Sequence, residues 1–304
     1  MRNGAETLLP QGVIRPDFAA RSESSPIRQV IYAGTSPKKG ALLDMLTRPL
    51  GITVIRKDAG KEHNDSPTPT ITTRKIDVVL PTIVDKKKGP PNPQAPVLVV
   101  AADVLTYSPK LRSDGFIEQV PRGKPGEIFD IRQVFQDMRD AARTSGDIRN
   151  YSYNIDAASE ARITKGEEVE VTRGRNLAHV ALDQELVDYF ATEEGISEYL
   201  KVLKAFLKGP YYISEEGPKH PGSPAGVAGG LELAVLGYFG AVHKVDRISR
   251  KDPDIYMKNF RNIVVTAYFG FHEDVLTLVN PNAIQMIEDW TYVDNITNFA
   301  GMAA

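Results

Sequence analysis

The stretch Gln29-Val30-Ile31-Tyr32-Ala33-Gly34-Thr35-Ser36-Pro37-Lys38-Lys39, followed after Gly40 by Ala41-Leu42-Leu43-Asp44-Met45-Leu46, decides how the chain begins to fold. Val30, Ile31 and Tyr32 are β-branched and aromatic residues in a short run, the composition of a strand. Gly34-Thr35 breaks that run. Ser36 is a good helix N-cap, and Pro37 suits the first helical position, where its missing N–H removes no hydrogen bond. Leu42, Leu43 and Leu46 then recur at helical spacing and mark one buried face. A strand, a tight turn and a helix in succession open an α/β unit. The helix is expected to end near Arg48-Pro49, and Ile52–Ile55 reads as a second strand.

Outward from this unit, Gly60–Pro69 is a polar loop, and Ile71–Leu80 fits either a helix or a strand. Val78, Val79 and Leu80 favour strand; the place in an α/β alternation favours helix. Asp85–Pro96 holds Lys86-Lys87-Lys88 and four prolines and is expected to be an extended surface loop. Val97–Ala101 is a continuous apolar run with Asp103 just beyond it, the pattern of a strand buried on both faces that ends in a carboxylate. A hairpin-like stretch leads to Arg122. Glu127–Arg143 places Ile128, Ile131, Val134, Phe135 and Met138 on one helical face. Further on, Tyr151–Ile155 and Val169–Thr172 suggest strands, Asp183–Leu207 a helix, and Gly209–Gly230 a long loop. Leu231–Val245 and Asn262–Phe271 read as strands and Ala283–Trp290 as a closing helix.

Composition narrows the function classes. The 304 residues are 41% hydrophobic and 25% charged, ordinary proportions for a chain that buries a core. The 37 basic and 39 acidic side chains leave a net charge of −2, which argues against broad electrostatic binding to nucleic acid. With no cysteine, disulfides, thiol catalysis and thiolate metal centres are excluded. The five histidines are scattered singly, without the spacing of a histidine metal site. No apolar run reaches membrane-spanning length, so no membrane partner is expected. Residues 1–28 read as an irregular arm without the apolar stretch of a secretory signal. The expected location is intracellular, in the mitochondrial matrix or the cytoplasm, and not secreted.

Three features carry chemistry. Ser36-Pro37-Lys38-Lys39 sets two cations and free backbone N–H groups at a helix start, an arrangement suited to phosphate. Asp103 stands where strand-end carboxylates of open α/β sheets meet ligands. Gly123-Lys124-Pro125 adds a cation immediately before a helix. A carboxylate among phosphate-binding cations suggests a divalent metal that bridges phosphate to protein.

In this order the features resemble the Maf (septum-formation) family of nucleotide pyrophosphatases, similar in fold to the inosine triphosphate pyrophosphatases. Gly34-Thr35-Ser36-Pro37-Lys38-Lys39 is similar to the family's Ser-x-Ser-Pro-Arg-Arg, and Lys75-Ile76 to its Lys-Ala on the next helix. Ala102-Asp103-Val104 resembles Ala-Asp-Thr, and Gly123-Lys124-Pro125 is an intact Gly-Lys-Pro. Thr144-Ser145-Gly146 resembles a helix-ending Leu-Ser-Gly. Gly237-Tyr238-Phe239-Gly240-Ala241 and Asn262-Ile263-Val264-Val265 echo Gln-Gly-x-Gly-Ala and Asn-Val-Val-Gly, so the likeness spans roughly residues 29–270. The departures are Gly34 for a serine, Lys38 and Lys39 for two arginines, Val104 for a threonine, and Gly237 for a glutamine. Arg149-Asn150-Tyr151-Ser152-Tyr153 also stands where the family has His-x-Val-x-Thr.

The resemblance implies an α/β domain over residues 29–304, with a mixed twisted sheet, flanking helices and a central cleft. Insertions fall near 85–96 and 208–226. The implied reaction is attack of water between the α- and β-phosphates of a nucleoside triphosphate, giving the monophosphate and pyrophosphate with Mg²⁺ or Mn²⁺. By position, Asp103 would hold the metal or activate water, and Lys75 and Lys124 would act with it in catalysis. Ser36, Lys38 and Lys39 would bind the triphosphate. A second metal carboxylate is implied in the loop after the second strand, where Glu62 or Asp58 could serve. The partners implied are a nucleoside triphosphate and a second copy in a homodimer. The departures support a competing expectation: a catalytically degenerate Maf-fold subunit among protein and RNA neighbours, as in a mitochondrial ribosome.

Overall fold

The computed structural model describes residues 27, 29–60, 66–83, 96–122, 128–165, 168–208, 235–247 and 270–288. The elements are β1 (Gln29–Ala33), α1 (Pro37–Thr47), β2 (Thr53–Lys57), α2 (Thr68–Ile83), β3 (Val97–Leu111), β4 (Ile117–Arg122) and α3 (Ile128–Ser145). They continue with β5 (Ser152–Lys165), β6 (Glu168–Leu182), α4 (Gln184–Phe190), α5 (Glu193–Lys208), β7 (Val242–Arg247), α6 (Glu273–Val279) and α7 (Ala283–Glu288). Among the described residues the fold is mixed α/β: seven strands in the order β2-β1-β3-β5-β6-β7, with β4 paired to β3, and helices that flank them. β1 is parallel to β2 and β3, whereas β3–β4 and β6–β7 are antiparallel.

Two compact units share these strands along the chain. One comprises Met1–Asp103, Ala157–Arg175 and Phe269–Thr291; the other comprises Val104–Asp156, Asn176–Tyr268 and Tyr292–Ala304. In the first, the opening strand–turn–helix forms as its residues dictate, with Ser36 extended at the N-cap and Pro37 at the helix start. Gly40 costs α1 about 1 kcal/mol of helix propensity relative to alanine. Leu42, Leu43 and Leu46 are buried, and each side chain contributes about 1.5–3 kcal/mol, so the apolar face wins. A Cβ on Gly40 would meet the far end of Arg56, a half-exposed side chain that reaches across to Asp44 at 3.0 Å.

Ile71–Leu80 resolves as helix. α2 lays Ile76 and Val79 on Ile31, Ala33, Val97, Val99 and Ala101, which share one sheet face. A strand would have sent Val78 and Val79 to opposite faces with nothing to cover the second. The strand predicted over Val97–Ala101 instead runs on to Leu111, so Asp103 lies inside it, not beyond it.

In the second unit, the predicted helix over Glu127–Arg143 is α3, with Ile131, Phe135 and Met138 buried. The single helix predicted over Asp183–Leu207 is two. Asp183 caps α4 by accepting the Leu186 N–H at 2.9 Å, and the chain turns at Ala191-Thr192 before α5. Phe135, Phe190 and Tyr199 lock the three helices, with ring centroids 5.3 Å apart in each pair. Leu231–Val245 is not one strand: residues 235–238 form a helical turn, and β7 starts only at Val242. The expected loops over 85–95 and 209–230, most of the expected strand Asn262–Phe271, and the arm over 1–26 lie outside the described residues. None of the described helices is long and apolar enough to cross a membrane.

Candidate functional site

The β1–β3 pairing register sets the site. Tyr32 is opposite Val100, while on the other side Ala33 is opposite Lys57 of β2. The chain leaves β1 toward β2 on one side and returns through β3 on the other. The carboxyl end of the β1–β3 pairing, at Tyr32 and Val100, therefore lies at a switch in strand order, where ligands of open α/β sheets bind. β3 outruns β1 there, and Ala101, Ala102 and Asp103 extend past the last paired residue.

Alternation along β3 puts Asp103 on the same face as Val97, Val99 and Ala101, the face that α2 covers. On α2, Lys75 precedes Ile76 and sits one turn before Val79. Its Nζ accordingly lies 3.3 Å from Oδ2 of Asp103. From the first turn of α1, the Lys39 ammonium donates to the Ala102 carbonyl at 2.9 Å. Lys39 and Lys75 are each 8% exposed and Asp103 is 7% exposed. Two lysines so deeply buried need compensation. Asp103 neutralises one, and the peptide oxygen beside it solvates the other.

Of the residues singled out from the sequence, Lys39, Lys75 and Asp103 come together. Ser36 stands at the mouth of the same helix, half-buried, with no capping hydrogen bond from its side chain. Lys124 and Glu62 lie outside the described residues, as does the side chain of Lys38. Asp58, the alternative carboxylate, is exposed and accepts the Gly60 N–H at 2.8 Å. No group of three or more His, Asp or Glu side chains able to hold a metal occurs among the described residues. One carboxylate suffices for the mode in which Mg²⁺ keeps several waters and takes the rest of its ligands from substrate phosphates. Asp103 could take that part only by giving up its contact with Lys75.

Two further features were not read from the sequence. The first is the reason for Gly34: a Cβ there would fall 2.6 Å from the Tyr32 hydroxyl, and Tyr32 is buried against Phe271 with ring centroids 6.3 Å apart. The tyrosine ring fills the space that a serine at this position would need. The second is Glu160 on β5, only 1% exposed. Its carboxylate accepts from the Thr73 hydroxyl at 2.6 Å, Arg162 Nε at 2.7 Å and Arg173 Nε at 2.9 Å. Arg162 also donates to Asp77 at 2.7 Å. Burial pushes the Glu160 carboxyl up, but the hydrogen bonds from Thr73, Arg173 and Arg162 outweigh it and hold the group below its ordinary value. Gly174 was a readable signal of crowding here, since a glycine inside a strand marks a close approach: its absent Cβ would lie 2.1 Å from the His272 ring.

No model of a known protein family and no curated protein matches the chain.

Proposed function

We propose that the chain is a Maf-like nucleoside triphosphate pyrophosphatase, or a nucleotide-binding descendant of one, with its phosphate site at Lys39, Lys75 and Asp103. One observation carries this reading: two buried lysines from different helices meet a buried carboxylate at the carboxyl end of a parallel strand pair. The arrangement is poised for an exchange of charges. A phosphate at Lys75 and a divalent cation at Asp103 would open the present ion pair and give each partner a new counter-charge, whose attraction would offset the loss of the old contact. When bound, Mg²⁺ or Mn²⁺ would neutralise phosphate oxygens; Asp103 is the residue that would hold it or accept a proton from attacking water. Lys39 carries the remaining positive charge of the trio. With Lys38 and Lys124 from the resembling motifs, it would stabilise charge that builds on the phosphates during cleavage. Ser36, at the helix start, would contribute its hydroxyl and neighbouring N–H groups.

The test is pyrophosphate release from a panel of ordinary and modified nucleoside triphosphates with Mg²⁺ or Mn²⁺. Turnover that Asp103→Asn abolishes supports the enzyme; no turnover with any of them removes it.

A second reading is favoured by the Tyr32 ring over Gly34, which closes the place of a hydroxyl in the motif. In that reading the fold persists as a structural subunit of a large assembly with protein and RNA neighbours. Size-exclusion chromatography of native extract separates the two. Elution as one or two copies favours the enzyme, and co-migration with a megadalton particle favours the subunit.

A further inference from the structure

We infer that Glu160 is a positioning residue for Lys75, acting through the orientation of α2. The apolar contacts of α2, through Ile76 and Val79, are non-directional and tolerate small rotations of the helix about its axis. Side-chain tips about 5 Å from that axis move by roughly 2 Å for a rotation of about 20°. That displacement is enough to separate Lys75 from Asp103, now 3.3 Å apart. Directional bonds must therefore fix the rotation.

Such bonds lie on either side of Lys75 in sequence. Thr73, two residues before it, donates to Glu160, and Asp77, two residues after it, accepts from Arg162. Thr73 and Asp77 are four apart and occupy one edge of the helix; Glu160 and Arg162 are two apart and share one face of β5. Two attachments one helical turn apart resist rotation as one could not. Glu160 is the hub, because it binds Thr73, Arg162 and Arg173 while almost wholly out of water. The charges of Asp77, Arg162, Glu160 and Arg173 sum to zero, so the cluster closes on itself, as a clamp does. What Lys75 does once positioned rests on the phosphate-site reading; that it is positioned from Glu160 does not.

The experiment follows the amine reactivity of Lys75 and Lys39 in the folded full-length chain, by brief acetic anhydride labelling and peptide mass spectrometry. Lys39 is equally buried but is held from α1, so it is the internal control. Thr73→Val keeps the side-chain shape and removes the bond to Glu160. It is expected to raise the labelling rate of Lys75 about tenfold relative to Lys39, the order set by losing a hydrogen bond to a charged partner. Glu160→Gln, which removes the charge that holds Thr73, Arg162 and Arg173 together, should raise it by a smaller factor and decides the matter if Thr73→Val fails to fold. An unchanged Lys75 rate, or a parallel rise at Lys39, overturns the inference. Should Lys75 become reactive in Thr73→Val while triphosphate binding stays at the wild-type level, positioning stands and the phosphate role of Lys75 falls.

Discussion

Lys75 and Asp103 form a buried ion pair, and such pairs are asymmetric in their energetics. Breaking one by removing a single partner leaves an uncompensated buried charge, at a cost of about 3–5 kcal/mol, whereas replacing both partners by apolar groups is often neutral. Lys75→Met alone should therefore lower unfolding free energy by about that amount. Lys75→Met with Asp103→Leu should recover most of it, as read by urea denaturation followed by circular dichroism. Equal losses in the single and double variants would mean the pair is not closed in solution. Glu160 yields a pH prediction. Its folded-state pKa is depressed, so its stabilising contribution is present above the unfolded carboxylate value and is lost as pH falls through the folded one. The urea midpoint should decline on acidification from pH 6 to pH 3, and Glu160→Gln should flatten that decline. A decline of the same steepness in Glu160→Gln would assign the acid sensitivity elsewhere.

The elements show how far local sequence reaches. β1, α1 and β2 were legible because their signals are local: a β-rich run, an N-cap before proline, three leucines at helical spacing. β3, β5 and β6 run longer than their local sequence suggests, for a shared reason. Past Ala101, β3 carries Asp103, Ser108, Pro109 and Lys110, and β5 carries Asp156, Glu160 and Arg162, residues that oppose strand on propensity. Asp103, Ser108, Glu160 and Arg162 are tolerated because long-range partners satisfy them, and no window of sequence lists those partners. Asp103 was found for its place after an apolar run; Glu160 was missed because its donors come from α2, β5 and β6. The break between α4 and α5 was likewise hidden, as the apolar spacing continues through it. There a Cβ on Gly195 would lie 2.0 Å from the Tyr189 carbonyl oxygen, part of the backbone. Gly195→Ala is thus expected to destabilise the chain by about 1–3 kcal/mol through overpacking, a shift in urea midpoint at constant slope. Stability at the wild-type level would show that α5 can draw back from α4 without cost.

Across the whole molecule, the near-zero net charge means that any anion affinity must come from local arrangement and not from a general field. Lys39, Lys75 and Asp103 leave one positive charge in a region largely removed from water, where screening by salt is weaker than at the surface but still felt at the mouth. Titration calorimetry with inorganic pyrophosphate and a nucleoside triphosphate, each with Mg²⁺, measures this directly in the wild type and in Lys39→Met. The account predicts saturable binding at submillimolar to millimolar concentration that weakens as salt is added and falls at least tenfold in the variant, the scale of one lost charge-assisted hydrogen bond. Absence of heat with either ligand at millimolar concentration, or equal binding by Lys39→Met, would contradict a phosphate site at Lys39, Lys75 and Asp103.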